Sequence, residues 1–471
     1  MTVSALRVWG LALVPLAVIS ISACGGSDRL QPTAAPDHPR AGREAAVTVS
    51  DHPRQQIEGW GVSVVSDTEN DPLVVPGMAD RDLRRLDRLL FEQAGVNLVR
   101  VFGPGYGTQL ETGDLRPRRG DPRFAFMRRV SRYGVRFMLT GADAPAALKA
   151  GPEQHGEGLA PGAEEAYARY LTGLLRFAAD EVGVPFDYVA IGNEPDNGRS
   201  LLTMPPSQAA QVYELLAKRL RSERSPPRLV IGDNTTWPTT LNYAGAALAQ
   251  PSVAGAAAAI ASHSYGGSSE DRSAVAELGR STDLPVWQTE WGSGCLGCED
   301  DPSMDVALRW SEQIAAGLVE GQTSAWFAFR GVASSGHGPG DALIVRVPDP
   351  AEPFYTTKRF EVFRHYSGAA GPGSRRLETR VEGSHLLAVG FRSRQGVAVV
   401  LTNLAAGNAD LSLDLGHGTG GLRRRITGPE ASYEPLPSLE YAGDPVRLTL
   451  PAKGVATLWL KSEATPGVAG S

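Results

Sequence analysis

The sequence is short of cysteine and of lysine. Three cysteines occur in 471 residues, at Cys24, Cys295 and Cys298. So few exclude a disulfide-stapled mini-fold, and no second pair of thiols exists to complete a structural zinc tetrahedron beside Cys295 and Cys298. Only five lysines stand among 46 basic residues, against 52 acidic ones, for a formal net charge of −6. A nucleic-acid binder needs a basic face to neutralise phosphates, so this balance argues against nucleic acid as a partner. Arginine runs such as Arg423 to Arg425 read as solvated surface. No short repeat occurs, and no G-x-G-x-x-G follows the first strand signal, which removes the main mark of a dinucleotide-binding sheet. What is present is a chain with 42% hydrophobic residues. That is enough to bury the core of one large domain and a smaller one.

The N-terminus bears on the compartment. Arg7 precedes an apolar run from Val8 through Ile21. This is a charged n-region and a hydrophobic h-region, shorter than the about 20 residues of a membrane span. The run ends Ile21-Ser22-Ala23-Cys24-Gly25, which resembles a bacterial lipoprotein signal with Cys24 as the lipidated residue. The competing reading is an ordinary secretory signal with an incidental cysteine. Residues 1–24 are therefore expected to be a signal peptide. Residues 25–44, rich in Gly, Pro, Asp and Arg, are expected to be a flexible tether holding the protein at the extracellular face of the cell membrane, unless it is secreted. In that compartment Cys295-x-x-Cys298 reads as a small disulfide loop.

From there strand and helix signals alternate. Short apolar runs fall at Ile57–Val62, Leu98–Val101, Val135–Leu139, Tyr188–Ile191, Leu229–Ile231, Ala257–Ala261, Pro285–Gln288 and Thr323–Phe327. Helical periodicity fills several of the gaps, as in Asp80–Ala94, Ala163–Glu181, a stretch capped by Ser207 and running to Arg221, and Met304–Val319. Eight such units are the signature of an α/β fold of the (β/α)8 TIM-barrel type, expected over residues 57–366. After Ser367 the texture changes to short alternating strands separated by Gly, Asn and Pro, which predicts a β-sandwich over 367–462. Val47–Val49, within 45–56, is expected to join that sandwich. Residues 463–471 read as a disordered tail.

Two carboxylates follow the fourth and seventh strand signals: Glu194 in Ala190-Ile191-Gly192-Asn193-Glu194-Pro195, and Glu290 in Val286-Trp287-Gln288-Thr289-Glu290-Trp291. Those strand ends open into one pocket of a barrel. Cleaving a glycosidic bond needs two carboxyl groups about the anomeric carbon, about 5–5.5 Å apart in retaining enzymes. The expectation is that the ionised carboxylate raises the pKa of its partner, so that one attacks and the other donates a proton.

With these motifs the sequence resembles glycoside hydrolase family 30 over about residues 45 to 461. Gln55-x-Ile57-x-Gly59-x-Gly61 looks like the family's entry into strand one, Asn193-Glu194-Pro195 like its acid/base motif and Thr289-Glu290 like its nucleophile. Gly317–Phe327 looks like its last helix and strand, and Phe360–Gly373 like its passage from barrel to sandwich. The resemblance implies a retaining hydrolase of β-glycosidic bonds in an extracellular saccharide or glycoconjugate, with Glu290 as nucleophile, Glu194 as acid/base and no cofactor or metal. Asn193 would bind the sugar 2-hydroxyl. Tyr265 would donate to Glu290, and Arg100 would keep it ionised. His263 would line the pocket or sit in the core. Trp326 would offer a flat face to a sugar ring, as could Trp60, Trp237 and Trp291.

One segment departs from the family. Where it has S-P-W-S-P-P-x-W-M-K, residues Thr140 to Lys149 read TGADAPAALK, with Ala142 and Ala147 in the tryptophan places and Asp143 between them. Asp143 is a candidate contact to the substrate or a cap. The acidic stretch Glu299-Asp300-Asp301 reads as a solvated loop before a calcium site. Two alternatives stay open: a catalytically inactive carbohydrate-binding lipoprotein on the same fold, and a related barrel glycosidase of the heparanase and glucuronidase-like group. No obligate protein partner is implied.

Overall fold

A computed structural model describes residues 45–68, 71–75, 77–106, 114–151, 155–293, 298–416 and 418–461. Cys24, Cys295, the expected signal and tether, and the tail lie outside the described residues. No described helix is long and apolar enough to cross a membrane.

Eight parallel strands close into a barrel: β2 (Gly59–Val64), β3 (Leu98–Phe102), β4 (Arg136–Thr140), β5 (Tyr188–Ala190), β6 (Arg228–Asn234), β7 (Ala257–His263), β8 (Val286–Trp291) and β9 (Thr323–Ala328). Each overlaps one of the eight apolar runs read from the sequence. The strands are buried on both faces, so they appear as continuous apolar stretches rather than alternating ones. Inward side chains fill the barrel: Leu98, Met138, Tyr188, Val230, Trp287 and Phe327 form its inner core. Space for Phe327 comes from Gly61, where an added Cβ would lie 2.1 Å from the Phe327 ring.

The helix Met304–Val319 matches its periodicity, and its Trp310 and Ile314 are buried. Helices Asp80–Arg88 and Glu164–Arg176 each finish in a wider turn, Leu89–Gln93 and Phe177–Val182. Ser207 does not cap its helix. The helix spans Pro206–Leu220 with Pro205 at the cap, because Pro206 at the first turn has no N–H to satisfy.

The C-terminal strands are β13 (Arg375–Glu382), β14 (Leu386–Ser393), β15 (Gly396–Asn403), β16 (Ala409–Asp414), β17 (Gly420–Thr427), β18 (Glu434–Tyr441), β19 (Val446–Leu450) and β20 (Val455–Lys461). With β1 (Ala45–Gln56) they form one sheet in the order β18-β17-β20-β15-β14-β13-β1-β16-β19. Leu422, Val399, Leu411 and Leu450, from strands far apart in that order, share one core with Val47 and Val49. The sheet is thus folded over on itself as a sandwich. β1 joins it by pairing antiparallel with β13 and parallel with β16. Arg423 to Arg425 are not simply solvated: they lie in β17, where the Arg423 guanidinium sits 4.6 Å from the Trp459 ring and that of Arg425 5.1 Å from Tyr433.

The helix Lys358–Ala369 ties sandwich to barrel, and the boundary expected at 366/367 falls inside it. Its Tyr366 hydroxyl meets Ser311 Oγ at 2.8 Å, and Ser311 meets Thr402 at 2.7 Å. Between β9 and this helix lies a small sheet that the sequence did not suggest, β10 (Arg330–Ser334), β11 (Ala342–Arg346) and β12 (Phe354–Thr356).

Candidate active site

The site is built where barrel strands end. β6, β7 and β8 each carry an irregularity in pairing near the C-terminal end, between Gly232 and Asn234, Ser262 and His263, and Gln288 and Trp291. A bulge re-aims the side chains that follow it. Here Asp233, His263 and Glu290 all join one polar cluster above the apolar barrel core. Glu194, beyond β5, and Asp233 have positive φ, 48° and 64°. Such backbone costs about 1–3 kcal/mol per residue and concentrates at functional positions. The Glu194 N–H donates to the Asp233 carbonyl at 2.9 Å, which fixes the two turns together.

Glu290 is 5% exposed and Glu194 8%. One carboxylate oxygen of each, and a ring nitrogen of His263, lie within 4.8 Å of one another. Both oxygens of Glu290 already accept hydrogen bonds, Oε2 from Arg100 Nη1 at 2.7 Å and Oε1 from the Tyr265 hydroxyl at 3.0 Å. Glu194 Oε2 accepts from the Asn197 amide at 2.7 Å, and its Oε1 lies 2.8 Å from His263 Nδ1. Asn193 caps no helix. Its Oδ1 accepts from Arg100 Nη2 at 2.6 Å, its backbone N–H donates to the Gly141 carbonyl at 2.8 Å, and its side-chain Nδ2 makes no hydrogen bond among the described residues.

At the centre of these contacts is Asp233, which the sequence reading missed. Its Oδ2 accepts from Arg100 Nε at 3.2 Å, Arg100 Nη2 at 2.8 Å and the Thr140 hydroxyl at 2.6 Å. Its Oδ1 accepts from the Thr289 hydroxyl at 2.6 Å and lies 3.2 Å from His263 Nε2. The available signal was Gly232-Asp233-Asn234 directly after an apolar run, the same pattern that exposed Glu194. Tyr106, after β3, was missed too.

Electrostatics follow from burial and charge. Burial alone would raise Asp233, but Arg100 and His263 hold it well below the usual carboxylate range. Burial alone would lower His263, but Glu290, Asp233 and Glu194 lift it to about 10, so it is an imidazolium at neutral pH. Burial pushes Glu290 up, opposed by His263 and Arg100. The expectation for Glu194 needs correction. Burial would raise it, yet His263 and then Asn197 bring it below its ordinary value. The neighbouring imidazolium outweighs the neighbouring carboxylate.

The tryptophan expectation also needs correction. Trp326 is fully buried and packs against Trp310, Trp291 and Phe363 with ring centroids 5.6, 6.3 and 6.1 Å away. Trp60 and Trp237 are buried too, and Trp291 is 7% exposed. Trp60, Trp291 and Trp326 pack the shell between barrel and helices, because outward positions on barrel strands face helices rather than the pocket, and Trp237 opens the helix Trp237–Leu248. Tyr265 is 37% exposed although its hydroxyl is bound to Glu290. Asp143 accepts from the Ala144 N–H at 2.8 Å and pairs with Lys149 at 3.1 Å.

The segment after Glu290 is fastened to the small sheet. The Ser293 N–H donates to Asp341, Trp310 Nε1 donates to Ser293 Oγ at 3.1 Å, and the Gly340 N–H donates to the Cys298 carbonyl at 3.0 Å. Asp300 pairs with the buried Arg359 at 2.6 Å, which makes the acidic stretch a tether.

Residues 179–343 match the glycosyl hydrolase catalytic core family. No curated protein sequence matches. Among solved structures, the chain is similar to a GH30 endoxylanase from Clostridium papyrosolvens C71 (16% identity, 89% of this chain and 100% of that one, TM-score 0.70). It is also similar to SrfJ from Salmonella typhimurium (17%, 91% and 95%, TM-score 0.72) and to the endo-β1,6-glucanase BT3312 (15%, 88% and 94%, TM-score 0.68). At these identities the structural likeness establishes the fold. The barrel, the facing glutamates and the family match define the class, a glycoside hydrolase. Within that class, the layout of barrel and side sandwich is that of the family 30 enzymes to which the chain is similar.

Proposed function

We propose that the protein is a retaining β-glycosidase working at the outer face of the cell membrane on an extracellular saccharide or glycoconjugate. The observation that carries this reading is that one carboxylate oxygen of Glu194 and one of Glu290 lie within 4.8 Å of each other, near the about 5–5.5 Å spacing at which one carboxylate reaches the anomeric carbon directly. Wider pairs leave room for a water and invert.

The hydrogen bonds divide the roles. Arg100 can only donate, and it holds Glu290 Oε2 as an acceptor, so Glu290 attacks the anomeric carbon and forms a glycosyl-enzyme. Glu194 faces His263 Nδ1, which donates as imidazolium and accepts once neutral. The pair therefore shares one proton, which in the resting site sits on His263. Moving it across the 2.8 Å contact makes Glu194 the acid that protonates the leaving oxygen. Glu194 then takes a proton from the water that releases the sugar. The free Asn193 amide binds the 2-hydroxyl, a contact that strengthens in the transition state, and Asp143 contacts the sugar at the pocket wall. An epoxide probe for retaining glycosidases should label Glu290. An intact protein that takes up no label would favour the inactive carbohydrate-binding reading, which Ala142 and Ala147 in place of tryptophans otherwise support.

The lipid anchor on Cys24 and the disulfide between Cys295 and Cys298 belong to the same proposal. Cys24→Ser should release the protein from the membrane fraction. The exported protein should gain 2 Da on reduction, one hydrogen per sulfur, and free thiols before reduction would refute the disulfide.

A further inference from the structure

Phe102, at the end of β3, and Tyr106 and Asp143, beyond β3 and β4, form an arrangement of which the reaction outlined above involves Asp143 alone. The Arg100 guanidinium lies over the Phe102 ring at 4.5 Å, and Phe102 meets Tyr106 edge to face at 5.2 Å. Tyr106 is thereby held at a fixed place relative to the guanidinium that carries Glu290. On its other side the chain is pressed against Asp143: at Gly105, with φ of 127°, an added Cβ would lie 2.8 Å from the Asp143 Cβ. Only glycine permits both that backbone and that approach.

Both side chains have unspent hydrogen-bonding capacity. The Tyr106 hydroxyl makes no hydrogen bond among the described residues, and the ring is partly exposed. Burial, with the charges of Glu290, Glu194 and Asp143, pushes its pKa up, so it remains a neutral donor. Asp143 spends Oδ1 on Ala144 and Lys149, while Oδ2 accepts nothing among the described residues. Lys149 is itself bound to the Leu201 carbonyl at 2.9 Å, which keeps the Asp143 carboxylate from swinging away.

We propose that Tyr106 and Asp143 form a polar wall of the reacting-sugar subsite, where the Tyr106 hydroxyl and Asp143 Oδ2 hydrogen-bond ring hydroxyls of the glycosyl unit transferred to Glu290. The inference rests on the hydrolase reading and makes it more specific. Where a tryptophan wall would hold a sugar by its flat face and tolerate a missing hydroxyl, this wall selects a fully hydroxylated glycosyl unit. A site built to bond a hydroxyl discriminates strongly against the analogue lacking it, because its own polar groups are left unpaired.

The test uses the full chain and Tyr106→Phe, which removes one oxygen and keeps the ring. Aryl β-glycosides are assayed beside their 3-, 4- and 6-deoxy analogues, with epoxide labelling of Glu290 run in parallel. The wild type should favour the parent glycoside over at least one deoxy analogue by about 10-fold or more. In Tyr106→Phe that preference should collapse at a single hydroxyl position, and Asp143→Asn should weaken it at the same or the neighbouring position. Both variants should still take the label. A labelled wild type whose deoxy preferences are unchanged in both variants overturns the wall and leaves the hydrolase standing. A wild type that takes no label overturns both.

Discussion

His263 Nδ1 lies 2.8 Å from Glu194 Oε1, in a ring whose other nitrogen lies 3.2 Å from Asp233. Glu194 is therefore one end of a chain that continues through His263 to Asp233 and Arg100. Its proton belongs to the chain, so changes several bonds away should move the pH dependence of the reaction.

Asp233→Asn tests that chain. Losing this negative charge lowers His263 from about 10 toward its ordinary 6.5, so the shared proton is lost at lower pH. The alkaline limb of the kcat profile should shift downward. kcat at its optimum should fall about 10²-fold or more, the scale of removing one preorganised partner in a buried site. An unmoved limb would show that His263 takes no part in holding the proton.

Stability should report the same coupling. The folded-state pKa of His263 is about 10, above the ordinary 6.5. Its contribution is complete below about 6.5 and is lost as pH rises through about 10. The Tm difference between wild type and His263→Gln should therefore be largest near pH 6 and shrink toward pH 10. Thermal unfolding across that range measures it.

Tyr265→Phe removes one of the two donors to Glu290. A carboxylate with fewer donors ionises at higher pH, so the acidic limb of kcat/KM should move upward. kcat should fall about 10-fold to 100-fold.

Glu290→Ala should abolish turnover, with a loss of about 10³-fold or more. Added azide should restore consumption of an activated substrate by attacking from the vacated face. The glycosyl azide should have the configuration opposite to that of the substrate.

Trp326→Ala separates packing from substrate contact. The ring is fully buried among Trp310, Trp291 and Phe363. Truncation should destabilise the fold by about 3–5 kcal/mol in denaturant titrations, and KM for a glycoside should stay near wild type at temperatures where the variant is folded.

The barrel was legible because strands covered on both faces must be apolar throughout, and eight such runs stood out. Glu194 and Glu290 were legible because acidic residues directly after such runs have no structural reason to be there. β17 and β18 were not, because an arginine-rich strand and a proline-bearing edge strand with Pro435 and Pro437 carry no apolar alternation. The lowered Glu194 could not be read either, since it depends on His263 lying nearer than the opposing carboxylate. Trp326 misled because its place at a strand end says nothing of the face it occupies. Tyr106 reaches the site through a glycine turn pressed on Asp143, a contact between two loops that neither local sequence contains.

The central claim is that Glu290 and Glu194 act in turn as attacker and donor across one glycosyl unit. NMR of the first sugar released from a β-glycoside tests it most directly, before mutarotation mixes the anomers. The account predicts that the β-anomer appears first. First appearance of the α-anomer would contradict it.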